Sequence, residues 1–303
     1  MLDDRRSQQW KALLPIIIFL LIIVGLLLWY YWYGYAHFAF NGVPEVSPFK
    51  GSILLIVGVS AGLLGGLVGT GGCSIMLPVL YFWMGYPSPV AIGTTLFAVF
   101  FTATSGGYGH ILHKNVDIRT TVWLTGFGVV GVIIGSWLFT EIMTDTALLG
   151  LILGLAFILP SVRMLWDGLI RTIVDSRGSL IQGSWQSKGA FGAIIEALTG
   201  LVGLGGGYAL IPGLIYIFGA PVYITMGISL ATMILLASVG GAIKIAQGSV
   251  DIGPALLLGS GAIAGAQIGA AIIKRFKPST LKLILRSTSL TVRSSSFSLT
   301  SEF

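Results

Sequence analysis

The sequence predicts an all-α polytopic membrane protein. It reads as two inverted repeats, each a broken, re-entrant half-helix pair plus about three transmembrane helices, with one extra N-terminal transmembrane helix. Three observations carry this. Hydrophobic residues make up 55% of the 303 positions and charged ones 9%, which excludes an ordinary soluble domain. Apolar segments of membrane-crossing length recur along the chain. The later segments repeat the earlier ones at a constant offset of 134 residues, so that Gly66 falls on Gly200 and Gly135 on Gly269.

Residues 1–12 are polar and carry Arg5, Arg6 and Lys11. From 13 to 35 the chain is apolar and closes on Trp29, Tyr30, Tyr31, Trp32 and Tyr33, a cluster suited to the headgroup layer. A signal peptide wants a shorter apolar core and a small-residue cleavage site, so this segment reads as a retained helix. After a polar loop at 40–51, apolar segments cover 53–68, 74–85, 89–112, 120–140 and 146–166. A linker at 167–188 bears Arg171, Arg177 and Lys188, and further segments follow at 190–202, 208–219, 222–246 and 252–273. The chain thus divides into an N-terminal helix and outer loop (1–51), a first repeat (52–166), a cytoplasmic linker (167–188) and a second repeat with an atypical serine-rich tail (189–303). Small residues four apart, as at Gly131 and Gly135 or at Gly261, Gly265 and Gly269, let helices approach closely in lipid.

The repeat keeps ten glycines in register, together with Pro78 on Pro212, Pro87 on Pro221 and Asp117 on Asp251. Over roughly eighty aligned positions chance would give about two such glycine matches. One stretch departs from it. The counterpart of 146–166 is 280–300, where Arg286, Arg293 and a run of serines make a poor lipid-facing helix. Either the last helix is lost or displaced, or the tail has been altered by a frameshift.

Segment 53–85 is too long for one straight span of about 20 residues and too short for two spans and a turn, so two half-helices meeting at a glycine break fit it. With the N-terminus inside, each repeat then has three full spans and the second inserts upside down. That topology places 14 of the 17 basic residues inside, among them Lys114, Arg119, Lys188, Lys274 and Arg275, and leaves Glu141 and Asp145 outside. Two short full passes in place of each hairpin preserve the same parity and stay open.

The two breaks read Gly-Thr-Gly-Gly-Cys-Ser-Ile-Met-Leu-Pro from Gly69 to Pro78 and Gly-Leu-Gly-Gly-Gly-Tyr-Ala-Leu-Ile-Pro from Gly203 to Pro212. They are followed by Ala91-Ile-Gly-Thr-Thr-Leu and by Thr225-Met-Gly-Ile-Ser-Leu. On these motifs residues 50–280 resemble the sulfite exporter TauE/SafE family. The resemblance implies a secondary transporter of the cytoplasmic membrane, some relatives of which are linked to sulfite or organosulfonate export. The extra first helix and the serine-rich tail depart from the family's usual pattern.

An irregular backbone exposed to lipid would leave polar groups unpaired, so each break must be covered by protein or face a cavity. Half-helices starting near Ser74 and Tyr208 would aim unpaired N–H groups at a mid-membrane anion. The candidate substrate contacts are therefore Gly69, Gly71, Gly72, Cys73, Ser74, Gly203, Gly205, Gly206, Gly207 and Tyr208, with close helix packing as the alternative role of the glycines. Thr94, Thr95 and Ser229 could add hydroxyl donors, although membrane hydroxyls often bond their own backbone. Cys73, the single cysteine, cannot form an internal disulfide and reads either as a small residue in a tight place or as a reactive thiol. Glu196, whose counterpart is Gly62, is the proton-coupling candidate, against a carboxyl at the inner interface or bonded to nearby backbone. His110 and its counterpart Lys244 end apolar segments and are expected to snorkel to water or draw anions to the cavity mouth. Asp117 and Asp251 are expected to cap the helices they precede.

No catalytic constellation, metal-ligand set or cofactor fingerprint is found, and the net charge of +6 rests on too few residues to point to nucleic acid. The expected partners are a small anion and the lipid bilayer, with a homo-oligomer left open. The reading is a secondary transporter exporting sulfite or an organosulfonate by alternating access around the paired breaks, with proton coupling through Glu196. A passive anion channel and a membrane-embedded enzyme of sulfur metabolism are the alternatives.

Overall fold

The computed structural model describes residues 17, 20–26, 28, 43, 44, 46–145, 148, 149, 151, 152, 181–203, 205–276, 280 and 281. The aromatic cluster at 29–33, nearly all of the 146–166 segment, linker residues 167–180 and the tail from 282 lie outside them. In order, the helices are α1 (Pro48–Val68), α2 (Cys73–Pro78, passing into a π-helix at Val79–Trp83), α3 (Ser88–Leu112), α4 (Ile118–Ile142), α5 (Trp185–Val202), α6 (Gly207–Tyr216), α7 (Val222–Ala246) and α8 (Ile252–Ile272, with a 3-10 turn Ile273–Arg275). The architecture is all-α, and α1, α3, α4, α7 and α8 are long and apolar enough to cross a membrane. Residues 20–26 are also helical, with Ile23 packed on Phe101, Leu256 and Ile263.

The offset of the sequence repeat recurs in the helix boundaries. α3 and α7 differ by it at both ends, and α4 and α8 share the same starting register. The first arms are longer than half-helices. Ser47 caps the amide of Lys50 and Pro48 occupies the first turn, so α1 begins early and runs for 21 residues. Ser184 likewise caps Ser187, and α5 starts at Trp185, inside the stretch assigned to the linker. After the first break the chain doubles back. Gly72 lies against the Ala61 carbonyl, and Gly65 against the Gly71–Gly72 peptide, so α2 returns along α1.

The helices pair across the repeats rather than within them. α1 lies on α8 and α4 on α5, while α3 and α7 cross in the middle. In the α1–α8 pair, Gly58, Gly62 and Gly66 face Leu258, Ala262 and Ala266, so the two helices run parallel. The mirror pair sets Gly131 and Gly135 on Ala193 and Ala197, and Gly200 on Val132 and Ser136. A Cβ at any of these glycines would land on a main-chain atom of the facing helix. Backbones therefore touch directly, a close packing that suits a solvent as apolar as the core. α3 and α7 run antiparallel, with Gly93 at Ser249 and Gly227 at Asn115. The outward faces carry Ile118, Val122, Ile134 and Trp137, all more than half exposed, as lipid-facing positions require.

Asp117 caps α4 as expected, its Oδ2 accepting from the Thr120 amide at 3.1 Å. Asp251 does not cap α8. Its Oδ2 accepts from the Tyr86 hydroxyl (2.9 Å), because the α7–α8 turn is drawn against the end of the first hairpin. We expect Gly62→Leu, which drives a side chain into the Ala262 carbonyl, to destabilise the protein by about 1–3 kcal/mol or more. Gly126→Ala, where a Cβ meets nothing within 4 Å, is expected to be neutral. Thermal unfolding of the full chain in detergent checks both, and equal midpoints for the two variants would contradict backbone-to-backbone packing.

Candidate functional site

The breaks begin where α1 and α5 end. Gly69 and Gly203 take left-handed φ of 89° and 72°, and their amides close the last turns on Gly65 and Thr199. Only glycine enters this region without strain. Gly71, Gly72, Gly205 and Gly206 also have positive φ, so each break is a run of turns rather than one kink. Their amides have no acceptor among the described residues.

The two breaks touch. A Cβ at Gly207 would lie 2.7 Å from the Gly69 carbonyl oxygen and 2.8 Å from the Thr70 Cα, and one at Gly205 would lie 3.8 Å from the Cys73 sulfur. Between them stand Val99 of α3 and its repeat counterpart Met233 of α7, both of which contact Gly71. The whole stretch 69–74 is buried. The structure thus joins Gly69, Gly71, Cys73, Gly205 and Gly207 in one spot, in a closed arrangement filled by two apolar side chains.

Hydroxyls surround this spot. Ser229 donates to the Gly69 carbonyl at 2.8 Å, tying repeat 2 to break 1. Its counterpart Thr95 and Ser74 are buried, with hydroxyls that have no partner among the described residues. Thr94 is occupied elsewhere, since its oxygen accepts from the Asp251 amide (2.9 Å) at the turn before α8. Cys73 donates to the Thr70 carbonyl (3.3 Å), and Tyr208 is buried at the start of α6. Sequence reasoning missed Thr102 and Thr232, which are also buried and unpartnered. Thr102 shares the face of Thr95 and Val99 by helical spacing, and Thr232 lies one turn beyond Ser229. The signal was present in Val99 and Met233, which fall on one another at the repeat offset next to these hydroxyls.

Glu196 is 1% exposed and its carboxyl group lies against Gly206 of break 2. Burial removes the interfacial alternative. Its carboxylate oxygens make no hydrogen bond among the described residues, although the Thr199 hydroxyl, which donates to Ile195, is one turn away. Room for the side chain comes from Gly128 of α4, where a Cβ would meet Glu196 Cγ at 3.1 Å. In the other repeat the sizes are exchanged, with Gly62 facing Ala262.

His110 and Lys244 do not snorkel, since both are fully buried. His110 Nε2 meets the Gly66 carbonyl at 2.8 Å, and Lys244 Nζ sits 2.9 Å from the centre of the Phe139 ring. α3 and α7 are the innermost helices, so their last turns still face protein rather than headgroups.

A bundle of apolar helices that encloses paired backbone breaks, a buried acid and hydroxyls without a partner among the described residues defines a multi-pass membrane protein. The family profile described as "Sulfite exporter TauE/SafE" matches residues 54–293, and the chain belongs to that family. It is 28% identical over 253 residues to the "Probable membrane transporter protein YunE" of Bacillus subtilis, covering 77% of this chain and 92% of that protein. A "Probable membrane transporter protein" of Methanocaldococcus jannaschii is 29% identical over 250 residues, covering 78% and 91%. No solved structure matches the chain significantly.

Ser229→Ala is expected to cost about 1–3 kcal/mol, because it leaves the buried Gly69 carbonyl without its donor. Thr95→Ala should cost clearly less. Unfolding midpoints measured side by side check the order, and a reversed order would contradict the tie between Ser229 and break 1.

Proposed function

We propose that this protein is a secondary transporter of a small sulfur-containing oxyanion, sulfite or an organosulfonate, working by alternating access in the cytoplasmic membrane. The observation that carries the reading is the contact between the two glycine breaks, which brings Gly71 and Gly205, whose amides have no acceptor among the described residues, to one spot beside Val99. Bare amides hold an oxyanion without a buried cation. Ser74 and Thr95, whose hydroxyls have no partner among the described residues, supply further donors, and parting Val99 from Met233 opens the space that the closed arrangement fills.

The repeats insert upside down relative to one another, with the N-terminus inside. α1, α3 and α8 point one way and α4, α5 and α7 the other, as their contacts require. The end where α3 and α8 finish and α4 and α5 begin carries Lys114, Arg119, Lys188 and Arg275, and the positive-inside rule makes it cytoplasmic. Exchanging the roles of the two halves then exposes the breaks to each side in turn.

Glu196 couples the anion to a proton. An ionised carboxylate against Gly206 repels an anion held by the same break, and a protonated one does not, so occupancy and protonation favour each other reciprocally. Flux of radiolabelled sulfite in proteoliposomes, with and without an imposed proton gradient, tests the reading. Wild-type flux is expected to follow the gradient, and Glu196→Gln to lose that dependence while still exchanging anion. Gradient-independent wild-type flux would mean a passive pore, and chemical conversion of sulfite would mean an enzyme.

A further inference from the structure

Away from the breaks, a cavity of about 560 Å³ opens at the basic end of the bundle, between the starts of α4 and α5. Its lining includes Arg119 and Lys188, the indoles of Trp123 and Trp185, Thr120 and Asp117. We propose that it binds the headgroup of an anionic phospholipid, with the phosphodiester between Arg119 and Lys188.

Charge comes first. The Arg119 guanidinium has no carboxylate partner among the described residues. Lys188 Nζ donates to Thr120 Oγ1 (3.4 Å) and to the Ile181 carbonyl (3.2 Å), which leaves its charge uncompensated. Asp117, the one acid among the described lining residues, is committed as the N-cap of α4, where its Oδ2 takes the Thr120 amide. α4 and α5 run parallel, so the positive ends of two helices meet at the same cavity. Two basic side chains and two helix starts make a phosphate-sized positive site.

Aromatic and apolar surface comes second, and it separates a lipid from a free anion. Trp123 and Trp185 lie with ring centres 5.0 Å apart, and Phe127 continues the row 6.5 Å from Trp123 and 6.3 Å from Trp185. Trp185, Phe127, Val130 and Ile194 stand out from the α4–α5 pair with 39–64% exposure. A soluble anion has no use for this strip. A phospholipid fits both parts, its headgroup in the cavity between indoles at interfacial depth and its acyl chains along the exposed strip.

The reading rests on the membrane setting and not on the transported substrate, so it stands or falls apart from the transport mechanism. The test is native mass spectrometry of the full chain taken from vesicles of equal parts phosphatidylcholine and phosphatidylglycerol. Wild type is expected to keep phosphatidylglycerol and shed phosphatidylcholine. Arg119→Gln with Lys188→Gln is expected to retain about twenty-fivefold less, as two charges each worth roughly fivefold imply. Lys114→Gln, at the same end but outside the cavity, should retain lipid as wild type does. If the double variant fails to fold, the charge-keeping exchange Arg119→Lys with Lys188→Arg must still hold the lipid, and inorganic phosphate added to wild type must fail to displace it. No preference between the lipids, unchanged retention in the double variant, loss in the exchange variant, or displacement by phosphate would each overturn the proposal, the last by making the cavity a site for soluble anions.

Discussion

A helix that stops inside an apolar slab leaves carbonyls and amides with no water to bond, and this molecule is arranged around two such stops. The outgoing helix is closed by a left-handed glycine whose amide returns to the last turn, at Gly69 and at Gly203. At the first stop the Gly69 carbonyl is then taken by the other half of the chain, where it accepts from Ser229. The first break is thus not satisfied by its own repeat alone, and the halves must lie together for it to persist.

The cross-repeat pairing follows from the same requirement. α1 finds its partner in α8 and α5 finds its partner in α4, each through a stripe of glycines that brings backbone against backbone. In lipid, where burying apolar surface drives little, the gain comes from the number of close atomic contacts that small residues permit. The exchange also centres α3 and α7. Enclosed on most sides, they can carry His110, Lys244, Thr95, Thr102, Ser229 and Thr232 away from lipid.

The backbone is nearly symmetric, whereas the chemistry is not. Glu196 has Gly62 as its counterpart, and Gly128 makes the room that Ala262 does not. Ser229 holds a carbonyl while the Thr95 hydroxyl finds no partner among the described residues. Asp117 caps its helix, and Asp251 serves Tyr86 instead. The duplicated scaffold thus carries buried Glu196 and Lys244 in its second half, where the first has Gly62 and His110.

The helix count within the described residues, the register of the repeat and the positions of both breaks were legible in the sequence, because hydrophobic length, glycine runs and prolines act locally and at a fixed offset; the starts of α1 and α5 were not, since they are set by the caps Ser47 and Ser184. Which helix lies on which was not, since the glycine stripes of α1, α4, α5 and α8 are interchangeable until three-dimensional fit selects among them. The same limit misplaced His110 and Lys244, whose positions at the ends of apolar runs say nothing of the neighbours that enclose them. It also hid Val99 and Met233, ordinary apolar residues until the breaks are brought to either side of them. Sequence alone determined a duplicated membrane bundle with two glycine interruptions. Only the tertiary structure decided that the interruptions meet, that Glu196 faces one of them, and that the halves exchange partners, because each depends on how separate helices are brought together rather than on local spacing.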